Sequence, residues 1–96
     1  MDIRYINIGD KFQIRLEENP STGYRWLPDR DTLAYFLVSE TTIPHPNREL
    51  VGAPGHKIFE FTPKSAGEFL VRLVCVRSWE KNKVPVREHA EKVYVQ

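Results

Sequence analysis

The chain has 96 residues and a formal net charge of +1, which suits one domain with one core, and its lone cysteine excludes an internal disulfide. Its 14 basic and 13 acidic residues are mixed along the chain with no basic run, so nucleic acid is not expected as a partner. No segment approaches the roughly 18 apolar residues of a membrane span, and the opening MDIRYINIGDK lacks an apolar stretch of signal-peptide length. The expectation is a monomer off the membrane, either inside the cell or as a trimmed mature form of a secreted protein.

In chain order, the dominant period is two. A first strand is expected around Ile3 to Ile8, and Gly9-Asp10 reads as a tight turn after it. Phe12, Ile14 and Leu16 then alternate with Lys11, Gln13 and Arg15, the pattern of a strand half-buried on a core. Tyr24 and Trp26 share one face of a short strand that Pro28 and Asp29 end, and Leu33 to Thr42 is rich enough in aromatic and β-branched residues for another strand or pair of strands. Residues 43 to 55, IPHPNRELVGAPG, hold three of the seven prolines and form a long, partly stiffened loop. Lys57 to Thr62 resumes the alternation, with Phe59 and Phe61 on one face, and Pro63 to Gly67 makes a turn. Phe69 to Val76 is nearly continuous in apolar residues, which fits a central strand covered on both faces. Glu91 to Gln96 forms the last strand. Arg87 to Lys92 favours helix by propensity but is too short to hold one without packing support. Short strands with turns about every ten residues point to an all-β fold, an immunoglobulin-like β-sandwich of seven or eight antiparallel strands, with residues 1–96 as a single domain.

The residue types that carry catalysis are poorly placed. Cys75 lies between Val74 and Val76 in the apolar run, where burial raises a thiol pKa, so it reads as an inert core thiol. His45, His56 and His89 are far apart and lack zinc-ligand spacing. Glu17-Glu18 reads as the end of a strand, and no phosphate-cradling glycine pattern opens a helix. The expectation is no enzyme, no cofactor and no metal.

Three loops stand out instead. NPSTGY spans Asn19, Pro20, Ser21, Thr22, Gly23 and Tyr24; a second, Leu50 to Gly55, carries Gly52, Ala53, Pro54 and Gly55; a third is Arg77-Ser78-Trp79-Glu80. If the strands are lettered in order, these loops follow alternate strands and so share one end of a sandwich, where binding loops are grouped. Each has a plain structural explanation. Proline, asparagine and glycine make NPSTGY a good turn by themselves, GAPG is an ordinary loop composition, and Trp79 either caps the core or serves as an exposed contact anchor. Trp26 is most simply a core residue.

In their order and separations the three loops resemble the chagasin family of cysteine-peptidase inhibitors, which carries N-P-T-T-G-[YF], G-x-x-G and R-P-W loops. Ser21 stands where the family usually has threonine, Ser78 where it has proline, and Pro54 interrupts a loop that is otherwise richer in glycine. The resemblance implies an immunoglobulin-like domain whose three loops wedge into the cleft of a papain-like, cathepsin-like cysteine peptidase, inhibiting it competitively, reversibly and without covalent bonds. It implies that Ser21 comes nearest the catalytic cysteine, that Thr22 hydrogen-bonds beside it, that GAPG follows the substrate groove, and that Trp79 rests on an aromatic wall with Arg77 adding polar contacts. The alternative is a non-inhibitory immunoglobulin-like module for adhesion or glycan binding.

Overall fold

A computed structural model describes residues 1–19, 22–44, 55–81 and 84–96. Seven strands and one short helix follow in order: β1 (Asp2–Ile6), β2 (Phe12–Glu18), β3 (Tyr24–Pro28), α1 (Arg30–Tyr35), β4 (Phe36–Ile43), β5 (Gly55–Pro63), β6 (Gly67–Arg77) and β7 (Arg87–Val95). They form a four-stranded sheet ordered β1-β7-β6-β3 and a three-stranded sheet ordered β2-β5-β4. The inner faces meet in a core of Phe12, Ile14, Trp26, Phe36, Phe59, Phe61, Val71, Leu73, Cys75, Val93 and Val95. Period-two alternation is clearest in β5, where Lys57, Phe59, Phe61 and Pro63 are buried and their neighbours are partly exposed.

The expected sandwich is present, with local differences. The β1–β7 pair is parallel, with Asp2 opposite Glu91 and Ile6 opposite Val95, whereas the other strand pairs are antiparallel. β1 therefore makes no hairpin with β2. The turn at Asn7–Asp10, closed by Asp10 N–H donating to the Asn7 carbonyl at 3.0 Å, carries the chain from one sheet to the other, and Gly9 takes its positive φ of 95° there.

The strand expected from Leu33 begins at Phe36, because 30–35 is helical. Asp29 is the N-cap and its carboxylate accepts from the Thr32 N–H at 2.8 Å. Tertiary contact completes the helix. β3 stops opposite Leu73, and the Arg72 backbone beyond it is taken over by α1: Arg72 N–H donates to Thr32 Oγ1 at 2.9 Å, and Asp29 N–H donates to the Arg72 carbonyl at 3.0 Å. Thr32, fully buried, is the polar residue that makes this junction.

β6 is central in its sheet but fully covered on one face and only partly on the other. Val71, Leu73 and Cys75 point into the core, while Leu70 is half exposed and Arg72 pairs with Glu88 at 2.7 Å on the outer side. The apolar run overstated burial because Leu70 and Val74 stand on the outer face, which among the described residues is closed only toward Val76 at the end of the strand. β7 starts at Arg87, opposite Cys75, so the stretch with helical propensity is strand.

Charge enters the interior where the core ends beneath β2 and β5. Glu18 and Lys57 are both buried, with Lys57 Nζ 3.7 Å from Glu18 and 3.7 Å from Glu40. Glu18 also accepts the Trp26 N–H at 2.8 Å, which ties the free edge of β3 to the opposite sheet. Truncating Glu18 to alanine leaves a buried ammonium with only the half-exposed Glu40 and removes the acceptor of the Trp26 N–H. Glu18→Ala is expected to lower unfolding free energy by about 3 kcal/mol. Trp26→Ala, which empties a site only 3% exposed, is expected to cost about 3–5 kcal/mol. Urea unfolding monitored by circular dichroism reads both, and a loss below about 1 kcal/mol for either contradicts the assignment.

Candidate functional site

The strand registers put the three loop bases at one end. β2 finishes at Glu18 opposite Gly55, where β5 begins, and β4 finishes at Ile43 opposite His56. β3 begins at Tyr24 opposite Arg77, where β6 ends, and β7 begins at Arg87 opposite Cys75. The connections 19–23, 44–54 and 78–86 therefore leave the sandwich from the same end, as the order of the strands implied.

Two of these connections touch directly. Ser78 N–H donates to the Gly23 carbonyl at 2.9 Å, continuing the β3–β6 ladder into the loops. The Trp79 ring meets Tyr24 edge-on, with centroids 5.5 Å apart and planes at 71°. It lies over Gly23 so closely that a Cβ there would fall 2.5 Å from Trp79 Cζ3. Gly23 thus serves two purposes: it takes φ of +77° and it leaves room for the indole. Sequence alone gives the first reason but not the second.

The turn is also tied internally. Thr22 donates to the Asn19 carbonyl through its backbone N–H at 3.1 Å and its hydroxyl at 2.7 Å. The Thr22 hydroxyl, expected to reach toward a bound peptidase, is engaged within its own loop. Arg77 is half-buried and likewise occupied. Its guanidinium donates to the Tyr24 hydroxyl at 3.4 Å and to Glu80 at 3.0 Å, and those two hydrogen bonds hold its charge more firmly than in water. Glu80, part of the third loop in sequence but not among its expected contact residues, orients Arg77; a carboxylate three residues after an arginine in a tight turn was the available signal. Trp79 remains 60% exposed while braced from beneath.

Gly55 is buried as the first residue of β5, so it roots the second loop instead of lining its tip. Pro20, Ser21, Gly52, Ala53 and Pro54 lie outside the described residues. Cys75 is buried, and desolvation pushes its thiol pKa up against a smaller opposing influence from the Arg87 charge. It makes a poor nucleophile, as expected for a structural thiol.

The model of the Chagasin family of peptidase inhibitors matches residues 5–94. This chain belongs to that family. It is 35% identical over 85 residues to amoebiasin-2 of Entamoeba histolytica, spanning 86% of this chain and 68% of that protein. It is 33% identical over 79 residues to chagasin of Trypanosoma cruzi, spanning 77% of this chain and 71% of that protein. The crystal structure of a cysteine protease inhibitor from Entamoeba histolytica superposes with a TM-score of 0.77 at 29% identity, covering 98% of this chain and 85% of that one. An inhibitor solved in complex with falcipain-2 shares the fold, with a TM-score of 0.71 at 16% identity over 98% of this chain and 86% of its own. The chain is accordingly a peptidase inhibitor and not an enzyme.

The close fit of Trp79 over Gly23 gives a direct test. Gly23→Ala should displace the indole and destabilise the domain by roughly 1–3 kcal/mol, since the methyl group meets both the ring and a left-handed backbone. Tryptophan fluorescence and thermal melting read the two effects. An unshifted spectrum with an unchanged melting temperature would contradict the contact.

Proposed function

We propose that this chain inhibits papain-like cysteine peptidases reversibly and competitively, by setting the loops at 19–24, 50–55 and 77–79 into the active-site cleft. The observation that carries the reading is the brace between the first and third loops. An exposed indole rests on Gly23 and Tyr24, and a backbone hydrogen bond joins Ser78 to Gly23. A surface already ordered before contact loses little conformational entropy on binding. The same stiffness explains why such a turn is a poor substrate, because cleavage requires the chain to deform toward an extended conformation. The peptidase-inhibitor family, the Entamoeba histolytica cysteine protease inhibitor and the structure in complex with falcipain-2 support the partner class.

Within this reading Trp79 is the anchor, Tyr24 and Gly23 support it, and Arg77 positions the base of the third loop through Tyr24 and Glu80. Pro20, Ser21 and Thr22 are assigned the leading contacts, and Gly52, Ala53 and Pro54 the second contact along the groove, with Gly55 as its root. Asn19 supplies the carbonyl that closes the first turn. Nanomolar affinity, about 12 kcal/mol, is within reach of an interface of standard size.

Titration of papain with the purified chain should show competitive inhibition with full recovery on dilution, and a gel should show the chain uncut. Trp79→Ala should weaken inhibition about 30-fold, corresponding to about 2 kcal/mol for a tryptophan anchor, with little change in melting temperature. Rapid cleavage within 19–24, or unaltered inhibition by folded Trp79→Ala, would overturn the wedge. Absence of inhibition altogether would favour an adhesion module.

A further inference from the structure

The inner row of β7 changes character along its length. Val93 and Val95 are core residues, but Glu91, on the same face, is a carboxylate only 5% exposed, and His89 follows two residues earlier. Positions two apart in a strand share a face, so imidazole and carboxylate project to the same side. The parallel register then sets Asp2 of β1 directly opposite Glu91. One donor atom from each of Asp2, His89 and Glu91 lies within 4.8 Å of the others, and His89 Nε2 is 2.9 Å from Glu91 Oε2.

We propose that Asp2, His89 and Glu91 form a zinc-binding site that clasps β1 to β7. Zinc takes nitrogen and oxygen ligands at about 2.0–2.2 Å, so two ligands of a tetrahedral site stand a little over 3 Å apart. The His89–Glu91 pair, at 2.9 Å, needs to part by only a few tenths of an ångström to admit the ion, and Asp2, at the exposed start of β1, has freedom to close on it. The donor set selects the metal: an imidazole with two carboxylates suits zinc, whereas calcium and magnesium prefer all-oxygen surroundings. Three protein ligands leave a fourth position for water.

The surrounding charge is arranged for a dication. Arg4 holds Glu91 Oε1 at 3.0 Å, leaving Oε2 facing His89. Arg4 thereby orients the ligand, much as an outer hydrogen-bond partner does in metal sites. Asp2 and Glu91 bring two negative charges against the single positive charge of Arg4, so the group favours a bound cation. The ion would replace the direct His89–Glu91 contact and join the one parallel strand pairing described here across its backbone ladder. The site is built from residues outside the three loops, so it stands or falls independently of the inhibitory reading.

Isothermal titration of the chelator-treated full chain with zinc chloride, paired with thermal melting, tests the proposal. The expected result is saturable binding of about one zinc per chain and a melting temperature that rises with zinc concentration. His89→Ala should lower the affinity about 100-fold or more, and Asp2→Asn should weaken it by a smaller factor. Both positions are accessible enough to alter without unfolding the domain, unlike the buried Glu91. His56→Asn should bind zinc as the parent does. Absence of saturable binding to the folded parent chain, or binding that survives unchanged in His89→Ala, would overturn the site.

Discussion

The buried Glu18 carboxylate joins the two sheets where the hydrophobic core gives out. One oxygen accepts the Trp26 N–H from the unpaired edge of β3, and the other faces Lys57, which reaches on to Glu40 at the outer strand of Glu18's own three-stranded sheet. A buried charge is costly unless its partners are in place, so the arrangement tolerates little relative movement of β2, β3 and β5. Those are the strands from which the first loop departs and to which the second returns. The polar layer lies just beneath the loop-bearing end. The loops are therefore mounted on a rigid base, while the apolar core remains continuous below it.

Above that layer a different kind of contact takes over. Trp79 is mostly exposed, yet its ring has a defined seat on Gly23 and the edge of Tyr24. Tyr24 in turn packs on the core and accepts a hydrogen bond from Arg77 Nε, while Arg77 Nη1 donates to Glu80. A chain of contacts thus runs from the interior through Tyr24 to the exposed indole. The free energy for ordering these side chains is supplied during folding and need not be supplied again on binding. Ser78, which lacks the conformational restriction of proline, is held through its own backbone N–H to Gly23.

The opposite flank of the four-stranded sheet shows how topology brings together residues distant in sequence. β1 pairs in parallel with β7, so the chain's second residue and its ninety-first share one register position. Arg4 sits over the Phe12 ring and reaches Glu91, linking a satisfied buried carboxylate to the aromatic core. Asp2, unremarkable in sequence, acquires its place beside His89 and Glu91 from this single pairing.

Alternation in the sequence determined the class of the fold, because a period of two in side-chain burial needs only a strand with one covered face. The ordering of NPSTGY, GAPG and the Trp79 turn after alternate strands likewise placed three loops at one end, since a sandwich returns to the same end every second connection. The requirement for glycine at position 23 was half legible, through its left-handed turn; the seat of the indole depends on residues more than fifty positions away. Helix α1 was hidden because six residues do not make a helix unaided, and the Asp29 cap gains its partner backbone only when Arg72 arrives from β6. Parallel pairing of β1, the half-exposed face of β6, and the meeting of Asp2, His89 and Glu91 were decided by tertiary structure alone. Local sequence specifies which face of a strand is apolar, but not which neighbour that strand will find.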